Sequence, residues 1–258
     1  MSRVQLYFNC DGQALAGTFD GASGAAGLLI VSGGNELRSG AFSGQAQLAA
    51  RVAAAGHPVF RFDRRGVGDS AGANLGFRHS APDIAAALAA FRAAAPGIGR
   101  VVAFGNCDGA SALMLAGGAG CDALLLSNPW TIEDAADDTP PPEALRARYL
   151  EKLKRPSEIV RLLRGGVNLG KLARGLRRAA TPSAAPSSLA GEMRAGIAGY
   201  RGEVSFLLAT ADRTAQAFES QWDRADPRIL RRDDASHAWV EPHAREWLIE
   251  QVLAALRA

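Results

Sequence analysis

Apolar residues fall into short runs that alternate with longer alanine-rich stretches and glycine-rich turns. Residues 3–20 alternate between polar and apolar around the turn Asp11-Gly12, which predicts two antiparallel strands. Residues 26–31 form a continuous apolar run, typical of a strand buried on both faces of a parallel sheet. Further strand-like runs lie at 58–62, 101–104, 121–127, 204–210 and 228–232.

Helical patterns separate these strands. They cover 42–55, 81–95, the residues after Gly109, and 241–256. Strands that alternate with helices lie parallel and are joined by right-handed crossovers. The sequence therefore predicts an α/β protein with a mostly parallel, doubly wound sheet and helices on both faces.

One long stretch interrupts the alternation. Residues 131–203 separate the strand at 121–127 from the strand at 204–210, and this is far more chain than a crossover requires. We predict that residues 1–130 and 204–258 form the core, and that 131–203 is a helical cap inserted into it. A cap at this place would cover the carboxyl ends of the strands and shape a substrate pocket.

The composition limits the classes of protein to which this chain can belong. The chain has 258 residues and no internal repeat, which suits one sizeable domain. Its N-terminus lacks the apolar core of a signal peptide, and no apolar run is long enough to span a bilayer, so we expect a cytoplasmic protein without a transmembrane segment. Cys10, Cys107 and Cys121 are too widely spaced for a zinc knuckle or a redox pair, which favours free thiols.

Positive charge is concentrated in one part of the predicted cap. Residues 143–178 contain 11 basic and three acidic residues, whereas the net charge of the whole chain is only +3. Such a segment suits an anionic partner, which could be a membrane surface, a nucleotide-bearing substrate or an acyl carrier protein. A solvated, arginine-rich helical face explains it equally well. We expect no nucleic-acid binding, because no recognition motif accompanies the charge.

The pentapeptide Gly105-Asn106-Cys107-Asp108-Gly109 follows an apolar run and precedes a helical pattern. It has the form of a nucleophile elbow, with Cys107 where serine more often stands. In such an elbow the nucleophile sits on a sharp strand-to-helix turn, and glycines two residues before and after it leave room for the backbone. The alternative is that the pattern arises by chance in a glycine-rich chain and that Cys107 is a small buried hydrophobe.

Candidate partners of Cys107 follow in the chain. Asp212 ends the strand at 204–210, and His237 lies between the last strand and the last helix, which gives the order nucleophile, acid, histidine. Asp212 is also well placed as a helix N-cap, because a helical pattern follows it. The remaining histidines lie at the start of a strand or in helical stretches: His57, His79 and His243.

A glycine-rich turn, Ser32-Gly33-Gly34-Asn35, follows the buried strand 26–31. In an elbow enzyme this turn supplies one backbone N–H of the oxyanion hole, and the residue after the nucleophile supplies the other. We predict that Gly34, with Asn35 as the alternative, and Asp108 donate these hydrogen bonds. A phosphate-binding loop is the rival explanation, but the spacing of a phosphate-binding motif is missing.

Over nearly its whole length the chain resembles the α/β-hydrolase superfamily. More narrowly, it is similar to the exosortase A system-associated hydrolases of the first type, which also carry a cysteine nucleophile. The resemblance rests on the cysteine elbow and on three further segments: Gly33 to Gly40, Phe60 to Ser70, and Leu126 to Trp130. It implies an α/β-hydrolase fold and supports Cys107 as a nucleophile, and what it implies for single residues stops at the triad and the oxyanion loop.

These features predict a cysteine-dependent hydrolase that cleaves an ester or thioester of a small or carrier-bound acyl substrate, without metal or organic cofactor. An acyltransferase with the same triad is the nearest alternative, since a thioacyl-enzyme can pass its acyl group to acceptors other than water. A thiol nucleophile disfavours an aspartate-based dehalogenase. The alternative from another class is a catalytically silent adaptor that binds an anionic or membrane-associated partner.

The basic segment gives a first prediction. Reversing Arg161, Arg164 and Lys171 to glutamate should leave turnover of a small neutral ester nearly unchanged and weaken turnover of an anionic substrate, because exposed charges act mainly on encounter. Steady-state kinetics on both substrates over a salt series measure this effect. Equal losses on both substrates, or a difference insensitive to salt, would show that the basic residues have no role in recognition.

Overall fold

A computed structural model describes residues 2–133 and 188–258. Eight strands form one sheet in the order β1-β2-β4-β3-β5-β6-β7-β8. Their bounds are β1 Ser2–Cys10, β2 Gln13–Gly21, β3 Ala26–Val31, β4 Val59–Phe62, β5 Arg100–Asn106, β6 Ala123–Ser127, β7 Glu203–Ala209 and β8 Ile229–Arg232.

The sheet is antiparallel at one end and parallel elsewhere. β1 pairs with β2, and β2 with β4, in antiparallel register. All pairs from β4 through β3, β5, β6 and β7 to β8 are parallel, so these six strands end at the same edge of the sheet. That edge is where ligands bind in open α/β sheets.

Helices cover both faces of the sheet. The described part of the chain has α1 Gly44–Ala54, α2 Ala81–Ala94, α3 Asp108–Leu115, α4 Ser188–Ala198, α5 Arg213–Gln221 and α6 Pro242–Arg257. One apolar cluster joins α2, α3, α4 and α5 to the sheet, and a second joins α1 and α6 to the opposite face. This is the doubly wound arrangement that the sequence predicts.

The predicted elements agree with the observed ones to within a few residues. One of the largest differences is at α1, which begins two residues later than predicted, at Gly44, because Phe42 and Ser43 have positive φ and belong to a 3-10 turn before the helix. No helix within residues 2–133 and 188–258 is long and apolar enough to cross a membrane.

Most of the predicted cap, and all of its basic segment, lies outside the described residues. The described end of the range 131–203 contains α4, which packs against α3 and buries Leu189 and Met193 in the core. This helix makes the crossover between β6 and β7, so the last residues of the range contribute to the core layer.

Candidate active site

Cys107 occupies the sharp turn between β5 and α3. Its φ of 58° and ψ of −129° are unusual for a residue with a side chain. A Cβ on Gly109 would lie 2.4 Å from the carbonyl oxygen of Val31, and one on Gly105 would lie 2.6 Å from the carbonyl carbon of Gly109. Only glycine fits at both places, which explains the spacing of the elbow pattern.

The structure brings Cys107, His237 and Asp212 together at the carboxyl edge of the sheet. His237 lies on the loop after β8, and its Nδ1 is 2.8 Å from Asp212 Oδ2. The Cys107 side chain interacts with the imidazole and contributes to the raised pKa of His237. The arrangement therefore runs from a thiol through an imidazole to a carboxylate.

This arrangement changes the acidity of the imidazole. Burial alone would lower the pKa of His237, but hydrogen bonds and charge interactions with Asp212 and Cys107 outweigh it and raise the pKa from 6.5 to about 10. The site therefore favours a protonated imidazole next to the sulfur. Chemically, an imidazolium at this position can stabilise a thiolate and can donate a proton.

Asp212 makes two sets of contacts, one as a helix N-cap and one with the His237 ring. It is the N-cap of α5 and accepts hydrogen bonds from the N–H groups of Thr214 at 3.1 Å and Ala215 at 3.2 Å. The same carboxylate holds the His237 ring. Three donors thus converge on one buried acid, which fixes the plane of the carboxylate toward the histidine.

A network of amide and hydroxyl groups holds the loop between β8 and α6, which carries His237 and is called the histidine loop below. The Asn106 side chain donates to the His237 carbonyl oxygen at 3.2 Å and accepts from the Ser127 hydroxyl at 2.8 Å. Asn128 donates to Asn106 Oδ1 at 3.2 Å, and the Trp239 indole donates to the Ser127 hydroxyl at 3.0 Å. The ends of β5 and β6 are thereby tied to the segment that carries His237.

The glycine-rich turn after β3 lies against the elbow. A Cβ on Gly33 would be 2.5 Å from the Asn106 carbonyl oxygen and 3.1 Å from Cys107 Cβ. The next residue, Gly34, has a φ of +55°, and its N–H donates to Asp108 Oδ1 at 2.5 Å. The side chain of Asn35, the alternative donor residue, accepts from Asn74 Nδ2 at 2.8 Å. The predicted oxyanion loop is thus next to the thiol.

Buried charges anchor the segment that follows the glycine-rich turn. The Asp63 carboxylate is fully buried, accepts the N–H of Arg38 at 2.6 Å and that of Asp69 at 3.1 Å, and forms an ion pair with the Arg38 guanidinium. Arg61 donates to the Arg38 carbonyl oxygen at 2.8 Å. Because a buried charge must be paired, Asp63 holds the segments after β3 and β4 together.

An apolar cavity of about 370 Å³ lies beside the site, between α1 and α6. Leu48, Phe104 and Ile249 are among the residues that form its walls. Asn106 and Ala238 border it, and these are chain neighbours of Cys107 and His237.

The sequence pattern of the alpha/beta hydrolase family matches residues 28–251. This match spans β3 to α6 and includes the elbow, the acid and the histidine. The chain belongs to the alpha/beta hydrolase family. The comparison with curated proteins found no match to this hydrolase.

Solved structures resemble the hydrolase over its whole length. The esterase Pf2001 of Pyrococcus furiosus is 13% identical, with a TM-score of 0.63 over 99% of this chain and 90% of its own. DcsB, solved in complex with its substrate analogue, is 14% identical, with a TM-score of 0.67 over 99% of each chain. A thioesterase domain from the curacin biosynthetic pathway is 11% identical, with a TM-score of 0.58 over 98% of this chain and 100% of its own. At these identities the likeness confirms the α/β-hydrolase fold.

Sequence reasoning missed two sets of residues at the site. The first set, Asn106, Ser127, Asn128 and Trp239, positions the histidine loop. Asn106 stands inside the elbow pattern, and the others adjoin strand ends or His237, so position along the chain could have indicated them. The second set is Arg64 alone, which contacts Asp108. Arg64 lies in the segment Phe60 to Ser70, for which the sequence indicated only a family resemblance and no role at the site.

The raised pKa of His237 predicts a pH-dependent contribution to stability. The folded pKa of about 10 lies above the unfolded value of 6.5, so the contribution is complete below about pH 6.5 and is lost as the pH rises through 10. Denaturant unfolding of wild type and His237→Gln should therefore show a difference that is largest near pH 6 and shrinks toward pH 10.

The variant His243→Gln, which replaces an exposed histidine of α6, is the matched control for the loss of an imidazole. A difference for His237→Gln that stays constant between pH 6 and pH 10 would contradict the assigned ion pair.

Proposed function

We propose that this alpha/beta hydrolase cleaves carboxylic esters or thioesters through a thioacyl-enzyme formed at Cys107. The observation that carries the proposal is that the Cys107 side chain, on a glycine-flanked elbow at the carboxyl edge of the sheet, interacts with His237, whose ring is hydrogen-bonded to Asp212. Neither a chance pattern nor a buried structural cysteine requires such partners.

The first half-reaction forms the thioacyl-enzyme. In the resting site His237 holds the proton of the Cys107 thiol, and the thiolate sulfur attacks the acyl carbonyl carbon. The N–H groups of Gly34 and Asp108 stabilise the negative charge that develops on the carbonyl oxygen. The carbonyl re-forms, the bond to the alcohol or thiol breaks, and His237 gives its proton to that leaving group.

The second half-reaction returns the free enzyme. His237 takes a proton from a water molecule, whose oxygen attacks the thioacyl carbonyl. The bond to sulfur then breaks, the carboxylic acid leaves, and the thiolate of Cys107 again lies beside the protonated imidazole of His237. Throughout, Asp212 orients the imidazole and stabilises its charged form.

The likeness to an esterase and a thioesterase domain supports the chemical class, and the resemblance to the exosortase-associated hydrolases supports cysteine as the nucleophile. We extend the proposal to an acyl substrate carried by a small molecule or a carrier protein. The basic stretch 143–178 is the proposed point of contact with an anionic partner.

Replacing the nucleophile tests this function. Cys107→Ala should abolish turnover of activated esters and thioesters, and intact-mass spectrometry should show no acyl adduct, because no other thiol lies at the elbow. Cys121→Ala is the matched control, since the Cys121 thiol is buried and its pKa is raised to about 12 by burial. Wild-type turnover in Cys107→Ala would contradict the proposal. A separate experiment, product analysis of the wild-type reaction with an added alcohol acceptor, distinguishes acyl transfer from hydrolysis.

The partners of the thiol give a second test. His237→Ala should lose activity by several orders of magnitude, and Asp212→Asn by roughly 10²–10⁴-fold, because the amide keeps a cap oxygen but loses the charge that orients the ring. The measurement is kcat/KM together with thermal unfolding. If Asp212→Asn were silent and substitution of Asp233 or Asp234 were damaging, the acid would be wrongly assigned.

A further inference from the structure

The carboxylate of Asp108 occupies the position that the proposed mechanism gives to the substrate oxygen. Asp108 Oδ1 accepts the N–H of Gly34 at 2.5 Å, and this is the hydrogen that should stabilise the oxyanion. The residue follows the nucleophile directly, so its side chain starts from the same turn that presents Cys107. One amide hydrogen serves one strong acceptor at a time.

Arg64 holds both groups in this arrangement. Its Nη2 lies 3.2 Å from Asp108 Oδ1 and also donates to the Gly34 carbonyl oxygen, and its Nη1 donates to the Ser80 hydroxyl at 3.3 Å. The Arg64 side chain is only 7% exposed and that of Asp108 16%. The pair is therefore largely shielded from water, where a charge-assisted hydrogen bond is strong.

We propose that Asp108 is an internal competitor for the oxyanion site and that it thereby limits which acyl substrates react. This inference rests on the proposed function, because it assigns a role at the same site. A carbonyl oxygen gains the Gly34 N–H only when the Asp108 carboxylate moves away from it. Arg64 then lies beside the vacated position and keeps its contact with the Gly34 carbonyl oxygen.

The consequence concerns substrate class. Displacing a charged acceptor costs binding energy, so carbonyls that develop a strong negative charge in the transition state, such as thioesters and activated esters, are favoured over weakly polarised ones. A displaced Asp108 still carries its charge near the reacting carbon. Acyl groups with an anionic substituent next to the carbonyl are therefore disfavoured.

Two probes of the same thiol separate this role from a structural one. Butanal adds the Cys107 thiol across its carbonyl to give a hemithioacetal, in which sulfur bonds to carbon and the thiol proton passes to the oxygen. That oxygen needs the oxyanion site. Methyl methanethiosulfonate has no carbonyl: the thiolate attacks its methylthio sulfur, a disulfide forms, and methanesulfinate leaves.

In Asp108→Ala the inhibition constant of butanal should fall by about tenfold or more, because a charge-assisted competitor has been removed. In Asp108→Asn the fall should be smaller, since a neutral amide oxygen competes less well. The rate of Cys107 modification by methyl methanethiosulfonate, measured at a pH where the thiol is fully ionised, should change by less than about twofold in either variant, because that reaction makes no oxyanion. An unchanged or increased inhibition constant in both variants would overturn the proposal.

Glu36→Ala is the matched control, because it removes a negative charge from the same loop. An equal fall in the butanal inhibition constant in this variant would assign the effect to general electrostatics and overturn the role of Asp108. If Cys107 in wild type reacts with methyl methanethiosulfonate no faster than a free thiol, the proposed function fails, and this inference fails with it. Normal thiol reactivity with no effect of Asp108 overturns this inference alone.

Discussion

The close approach of three backbone segments around Cys107 is the constraint on which the site depends. β5 must turn into α3 within one residue, so the start of α3 leaves no room for a side chain at Gly105, and the end of β3 leaves none at Gly109. Parallel pairing of β3 with β5 sets this distance. The sheet therefore fixes the position of the thiol before any side chain contributes, and the glycine-rich turn after β3 comes to lie next to it.

Around the elbow, polar and charged side chains hold the loops that follow the strands. Asp63 lies at the end of β4 and brings the segments after β3 and β4 together through buried hydrogen bonds. Asn106 and Asn128 perform the corresponding task for the histidine loop with neutral groups. In both cases a polar side chain at a strand end satisfies backbone groups of a neighbouring loop, so loops with little regular structure keep one geometry.

The sequence was most informative where local geometry demands a particular residue. The elbow glycines, the apolar run of β3 and the order of Cys107, Asp212 and His237 each reflect a requirement that acts within a few residues or along the order of strands. Contacts between distant loops leave no such pattern. The contact of Arg64 with Asp108 joins residues 44 positions apart, and nothing in either segment specifies the pairing. The predicted cap and its basic segment remain predictions, since they lie outside the described residues.

Asp212 both caps a helix and contacts the histidine, and this combination has an evolutionary consequence. Its carboxylate caps α5 and orients His237, so selection for a stable fold alone would preserve an aspartate or asparagine here, even in a descendant that had lost all chemistry. Cys107 has no comparable structural duty beyond filling a strained turn. Under the proposed function, drift at position 107 or 237 among homologues would therefore mark the loss of enzyme activity long before drift at position 212.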